Sequence, residues 1–191
     1  FKLVYSPLHG TGGRPVKRLL NELGYKNVYI VGAQEKPDGE FPTCSYANPE
    51  EENVFDLSIK LADETGAKVC LTNDPDADRT GMMVKEDNEW IYLNGNQIGM
   101  LLLKYILDNK KDIPKNGAVV TTIVSTPILD KIAKERNLKV FRTLTGFKYI
   151  GEKIREFEEG KYENSFVFGM EESIGYLNGT YVRDKDGILG V

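Results

Sequence analysis

Lys68-Val69-Cys70-Leu71-Thr72-Asn73-Asp74-Pro75-Asp76-Ala77-Asp78-Arg79 is the stretch on which the fold turns. Lys68 to Thr72 form a short apolar run between helical patterns, which reads as a buried strand of an α/β sheet. The run passes directly into an acidic loop, and in such sheets ligand groups gather at the carboxyl ends of strands. Asp74, Asp76 and Asp78 fall at i, i+2 and i+4. In extended backbone alternate side chains point the same way, so the carboxylates can converge on one point. Unpaired they repel and their pKa values rise. A hard divalent cation removes that repulsion, and donors that are all oxygen favour Mg²⁺. Pro75 stiffens the loop, Ala77 adds no bulk, and Arg79 offers a planar fork suited to phosphate beside the metal.

Three other readings of the loop can be weighed. A calcium-binding EF-hand needs Gly at the sixth position and Glu at the twelfth, where this chain has Arg79 and Lys85. A haloacid-dehalogenase-type phosphatase also places Asp-x-Asp after a strand, with one aspartate as nucleophile, and stays open. So does a solvated acidic turn.

Outward from the loop, strand and helix alternate. Lys2 to Tyr5 read as a strand, Ser6 to Gly13 as a glycine-rich turn, and Pro15 to Gly24 as a helix with Val16, Leu19, Leu20 and Leu23 inside. Val28 to Val31 form a second strand, and a long loop runs from Gly32 to Asn48. Pro49-Glu50-Glu51-Glu52 opens a helix that ends at Gly66, with acids at its positive end. Gly81 to Lys85 and Trp90 to Leu93 read as a hairpin around Asp87-Asn88. Further on come helices over Asn96 to Asp108, Thr126 to Arg136 and Gly146 to Glu159. Strands lie between them, at Ala118 to Ile123, Leu138 to Arg142 and Ser165 to Phe168. The pattern predicts two similar α/β domains, 1–93 and 94–191, each a mixed sheet of about four strands flanked by helices.

Bulk properties narrow the function. The chain has 191 residues, 40% hydrophobic and 28% charged, with a formal net charge of -4. That balance disfavours nucleic acid or an anionic membrane as partner but leaves room for a phosphorylated substrate held by local Arg and Lys. No apolar run is long enough to span a bilayer. The two cysteines, Cys44 and Cys70, have no metal-ligand spacing and form no disulfide framework, which predicts a reducing cytoplasm. Phe1 to Tyr5 open on a bare strand and Asp186 to Val191 read as a helix entry, so the chain reads as part of something longer.

Three further clusters carry polar chemistry. Ser6-Pro7-Leu8-His9-Gly10-Thr11-Gly12-Gly13 is a tight strand-to-helix turn whose amides could also hold an anion. His9 is the only histidine, and a lone histidine beside glycines reads as a hydrogen-bonded turn residue in preference to a catalyst, with no second histidine for a metal site built on several. Thr143-Leu144-Thr145-Gly146-Phe147-Lys148 reads equally as an ordinary threonine N-cap or as a sugar and phosphate contact at a helix start. Gly169-Met170-Glu171-Glu172-Ser173 places acids and a serine at a strand end, where carboxylates can accept sugar hydroxyls.

In this order the segments resemble the α-D-phosphohexomutase family, over essentially the whole chain. Asp74-Pro75-Asp76-Ala77-Asp78-Arg79 is similar to its metal loop and Thr145-Gly146 to its sugar-specificity loop. Glu171-Glu172-Ser173 is similar to its Glu-x-Ser motif, and Arg183-Asp184-Lys185-Asp186-Gly187 to its downstream charged segment. The resemblance implies the second and third of four domains. It implies Mg²⁺ on Asp74, Asp76 and Asp78, and substrate binding by Asp78, Arg79, Thr145, Glu171, Ser173 and Lys185. It implies an intramolecular phosphotransferase that interconverts sugar 1- and 6-phosphates through a phosphoserine and a bisphosphate intermediate. Hexose phosphate would be the partner, together with flanking domains of the same polypeptide. The phosphoserine segment and a C-terminal phosphate clamp are absent from these residues, so the chain alone is expected to be inactive. Ile174-Gly175-Tyr176 stands where mannose-type members carry histidines, which implies a glucose-type or pentose-type member; a phosphomannomutase of the same family is the alternative. A non-catalytic metal or sugar-phosphate module is the reading from another functional class.

Overall fold

The computed structural model describes residues 1–191 and divides into two compact units, Phe1–Asn94 with Gly190–Val191, and Gly95–Leu189. The first unit runs β1 (Leu3–Ser6), α1 (Gly13–Glu22), β2 (Val28–Ile30), α2 (Asp56–Thr65), β3 (Val69–Asn73), β4 (Thr80–Glu86) and β5 (Glu89–Leu93). Its sheet has the order β2-β1-β3-β4-β5. β1 lies parallel to β2 and β3, while β3, β4 and β5 are antiparallel in turn. Every residue of β1 is buried, as a central parallel strand requires. The β4–β5 hairpin closes through Asp87 and Asn88 at φ 48° and 67°, the pair of left-handed residues that matches strand twist in a two-residue turn. Val4, Leu8, Phe55, Ala62, Cys70 and Met83 make the core of this unit.

One helix starts later than its acids suggest. Asn48 Oδ1 accepts the Glu50 N–H at 3.2 Å and Glu51 is extended, so a short 3-10 turn over Glu52–Phe55 precedes α2. The Glu50 carboxylate lies 3.6 Å from Arg79 instead of sitting over a helix start. Gly66, at φ 73°, ends α2 by donating its N–H to Ala62 O.

The second unit runs α3 (Gly95–Asn109), β6 (Gly117–Thr122), α4 (Ile128–Lys134), β7 (Lys139–Thr143), α5 (Phe147–Glu158), β8 (Ser165–Glu171) and β9 (Gly175–Leu177), and ends within α6 (Gly187–Gly190) at Leu189. The sheet order is β7-β6-β8-β9, with β6 parallel to both neighbours and β9 antiparallel to β8. β6 is buried along its whole length. Ala118, Val120, Phe147, Ile150, Ile154, Phe157 and Leu177 form the core. β8 extends to Glu171, three residues past the strand read from sequence, and β9 had no counterpart in that reading. Asp186 Oδ1 accepts the Ile188 and Leu189 N–H groups and so caps α6.

Candidate functional site

The acidic loop begins where β3 stops. Asn73 is the last residue of the strand, and Asp74 O accepts the Ala77 N–H at 2.9 Å to close a turn. Ala77 sits in the left-handed region at φ 61°. The three carboxylates therefore meet through a tight turn and not through the alternation of extended backbone. One oxygen each of Asp74, Asp76 and Asp78 lies within 4.8 Å of the others. Asp74 is buried, Asp78 half-buried and Asp76 exposed, so the cluster opens to solvent on one side.

Asp74 anchors the loop. Its Oδ1 accepts the Asp78 and Arg79 N–H groups at 3.1 and 2.9 Å, and its Oδ2 accepts Arg79 Nε at 2.7 Å. A carboxylate offers about four acceptor sites, so three bonds leave Asp74 room for a further partner. Burial pushes the Asp74 carboxyl up to about 6, against the pull of Arg79. An all-oxygen donor set at this spacing fits a hard divalent cation, whose charge would offset both the burial and the repulsion from Asp78. Arg79 is not an open fork. Beyond Asp74 it reaches Asn48 Oδ1 at 3.4 Å and the Glu50 carboxylate at 3.6 Å.

The support under this loop was not legible in the sequence. Tyr5 Oη donates to Asn73 Oδ1 at 2.8 Å, and Asn73 Nδ2 donates to Arg79 O and Thr80 Oγ1. One buried amide thus ties the two ends of the loop to β1. The glycine-rich turn packs directly on the loop. A Cβ at Gly10 would overlap the Pro75 backbone, and Pro75 O accepts the Thr11 N–H at 2.8 Å. Leu8 and His9 both hold positive φ, 45° and 61°. Ser6 Oγ takes the Leu8 N–H, Gln34 O takes the His9 N–H, and the His9 ring meets Thr43 Oγ1 at 2.8 Å. His9 is a turn residue, as its setting among glycines suggests. Cys44 is a half-buried thiol that accepts from Gln34 Nε2.

The second unit collects the other expected residues at the carboxyl ends of β7 and β8. Glu171 ends β8, and its Oε1 accepts the Gly146 N–H at 2.7 Å. Burial raises the Glu171 pKa, opposed by the Gly146 N–H and by the positive charge of Lys185. Thr145 precedes Gly146 and is exposed. The Lys185 stem packs over Gly175, where a Cβ would strike it, and its ammonium lies 3.6 Å from Asp184. Ser173 is half-buried in the turn before β9, next to Ile174 at φ 55°. Neither threonine caps α5: Gly146 holds the N-cap position at φ 122° with no side-chain bond, and Thr143 Oγ1 turns back to Leu144 O. The Lys148 ammonium lies over the Tyr149 ring. Arg183 pairs with Glu158 at 2.5 Å.

Comparison with known proteins bears on these two clusters. The family model described as phosphoglucomutase/phosphomannomutase, alpha/beta/alpha domain II, matches residues 1–88, and the corresponding domain III model matches residues 94–191. A phosphomannomutase of Mycoplasmoides pirum is 42% identical over 186 residues, covering 97% of this chain and 34% of that protein. A phosphoglucomutase of Staphylococcus haemolyticus is 39% identical over 188 residues, covering 98% of this chain and 34% of the relative. The chain thus spans about a third of the length of these relatives. Among solved structures, a phosphoglucomutase/phosphomannomutase family protein from Burkholderia thailandensis superposes with a TM-score of 0.78 at 20% identity, over 100% of this chain and 38% of that one. An N-acetylphosphoglucosamine mutase from Aspergillus fumigatus, solved with glucose 1,6-bisphosphate, gives a TM-score of 0.58 at 18% identity, over 94% and 34%. At these identities the two structures speak for the fold.

Proposed function

The chain belongs to the α-D-phosphohexomutase family, and we propose that it supplies the metal-binding and sugar-binding parts of a phosphoglucomutase-type enzyme. Residues 1–93 are read as domain II and 94–191 as domain III. The observation that carries the reading is the convergence of Asp74, Asp76 and Asp78 within 4.8 Å, with Arg79 beside them. Family membership replaces the aspartyl-phosphate phosphatase as an explanation of that loop.

In the proposed reaction a sugar monophosphate enters with one free hydroxyl near a phosphoserine supplied by a flanking domain. The hydroxyl oxygen forms a bond to phosphorus as the serine oxygen–phosphorus bond breaks, and the hydroxyl proton passes to the departing serine oxygen, giving a sugar bisphosphate and a free serine. After the sugar turns over, its other phosphoryl group returns to the serine. Asp74, Asp76 and Asp78 would hold Mg²⁺, which supplies positive charge to the phosphoryl oxygens in transfer. Arg79 orients that phosphate once its contacts to Asn48 and Glu50 give way. Glu171 accepts from sugar hydroxyls, and Ser173 and Thr145 complete the sugar contact. Lys185 neutralises charge on substrate oxygens or takes part in their proton transfers. Recognition through hydroxyls that look alike from both ends of the ring lets one site hold both orientations.

We propose a cytoplasmic setting and a hexose phosphate substrate, with a glucose-type member favoured over a mannose-type one because Ile174-Gly175-Tyr176 brings no histidine to the sugar loop, and a pentose-type member as the alternative. A coupled assay of the full-length protein with glucose 1-phosphate, catalytic glucose 1,6-bisphosphate and Mg²⁺ tests it. Turnover is expected from the full-length protein and none from residues 1–191 alone. Faster turnover of mannose or pentose 1-phosphate would shift the substrate, and turnover by the isolated chain would break the reading.

A further inference from the structure

Glu171 and Glu172 are adjacent, yet their side chains go to different loops. Glu171 reaches the Gly146 N–H at the start of α5. Glu172 Oε2 accepts the Thr122 hydroxyl at 2.7 Å and the Ser125 hydroxyl at 3.0 Å, and those hydroxyls are 2.9 Å from each other. Thr122 and Ser125 are both buried. Thr122 ends β6 and Ser125 lies in the turn between β6 and α4, so the dipeptide joins the ends of β6, β7 and β8.

The same turn is held from its other side. Arg142 Nη1, on β7, donates to Thr122 O and Ser125 O, each at 3.0 Å, and Nη2 reaches Thr126 O at 3.3 Å. Asn96 Oδ1 accepts the Thr126 N–H at 2.9 Å. A cation therefore grips the carbonyls of the turn while an anion grips its hydroxyls. The Glu172 backbone is fixed as well, because its carbonyl packs where a Cβ on Gly95 would stand. The exposed apolar pair Ile123 and Val124 is the tip that this clamp holds out to solvent.

We infer that Glu172 is a positioning residue: by locking the Thr122–Thr126 turn to the end of β8, it fixes Glu171 and Ser173 for sugar binding. The inference rests on the proposed sugar role of Glu171 and Ser173. Shared bonds from two buried hydroxyls to one carboxylate oxygen are charge-assisted and strong, and leaving both hydroxyls unpaired would loosen the turn. Glu171 alone cannot replace this, since its oxygen is committed to the neighbouring loop.

Two measurements on Glu172→Ala and Glu172→Gln decide it. Amide hydrogen exchange on the 191-residue chain should quicken about tenfold at residues 122–126 and 171–174 in Glu172→Ala, the scale of one lost charge-assisted bond. Glu172→Gln keeps one acceptor oxygen and should restore most of the protection. In the full-length protein, Glu172→Ala should raise KM for sugar phosphate about tenfold with a smaller change in kcat, because a misplaced Glu171 weakens binding of substrate and transition state together. Unchanged exchange at those segments in Glu172→Ala overturns the inference, as does an unchanged KM in an active parent. If Glu172→Ala does not fold, Glu172→Gln carries the test: a KM within threefold of the parent supports the inference, and a loss as large as deletion of Glu171 itself refutes it. An inactive parent would count against the proposed function, and the exchange data would still decide the clamp.

Discussion

The two clusters satisfy their carboxylates in opposite ways. At the end of β3 three aspartates converge beside one guanidinium, and the Arg79 side chain is spread over Asp74, Asp78 and Glu50. At the end of β8 each glutamate has donors of its own, a backbone N–H for Glu171 and two hydroxyls for Glu172. The first arrangement is short of positive charge and gains from a cation. The second already has its own donors, with the Lys185 charge acting on Glu171. A divalent metal should therefore act on the first unit and leave the second unmoved.

The largest effect that would break this contrast is loss of a ligand. Asp78→Asn and Asp76→Asn should each weaken Mg²⁺ or Mn²⁺ binding by about a hundredfold or more, since an amide removes charge as well as an oxygen donor. Titration calorimetry measures it. Glu171→Gln, the matching change in the second unit, should leave the metal affinity within about twofold. Equal losses from both changes would mean the clusters are not distinct in the way their hydrogen bonds indicate.

Support beneath the first loop gives the next effects. Gly10→Ala should cost about 2–3 kcal/mol, because the new Cβ meets Pro75 backbone, which cannot swing aside like a flexible side chain. Gly24→Ala is the control: open space surrounds Gly24, and its φ of 86° alone should cost about 1 kcal/mol. Urea unfolding with a single midpoint per unit reads both. Tyr5→Phe comes lower, at about 1–2 kcal/mol, the usual result of leaving one buried acceptor, here Asn73 Oδ1, without its donor.

What the sequence disclosed follows from how far apart the partners lie. Strand and helix periodicity is local, so the α/β class and most elements could be read from windows of a dozen residues. The acidic triad is local too, within five residues, although the turn at Ala77, not strand alternation, makes it converge. β9 escaped because Gly175-Tyr176-Leu177 is too short to show a period and follows a turn directly. The helix expected at Pro49 began later because Asn48 Oδ1 takes the Glu50 N–H and Arg79 draws off the Glu50 carboxylate. Tyr5 and Asn73 are 68 residues apart, and Thr122 and Glu172 are 50 apart. No spacing rule links such pairs, so the residues that steady each site became visible only when the sheets brought them together.

Proton competition gives the finest test of the contrast. The Asp74 carboxyl is raised to about 6 by burial, so between the ordinary carboxylate range and that value the metal-free folded state holds a proton that an unfolded chain would have released. Raising the pH through that value ionises a buried group, and folded stability from this residue falls as pH climbs from the ordinary carboxylate range to above 6. Metal binding has the opposite dependence because it requires the carboxylate. Mg²⁺ affinity should be nearly flat above pH 7 and fall about tenfold per unit below about 6, one proton being displaced per ion. Calorimetry at pH 7.5, 6.5 and 5.5, in two buffers of different ionisation enthalpy, counts that proton. Asp74→Asn should abolish the proton release along with most of the binding. Glu171, also raised by burial, lies outside the triad, so Glu171→Gln should leave the pH profile of metal binding in place. A profile that moved with Glu171 would show that the two carboxylate clusters titrate as one.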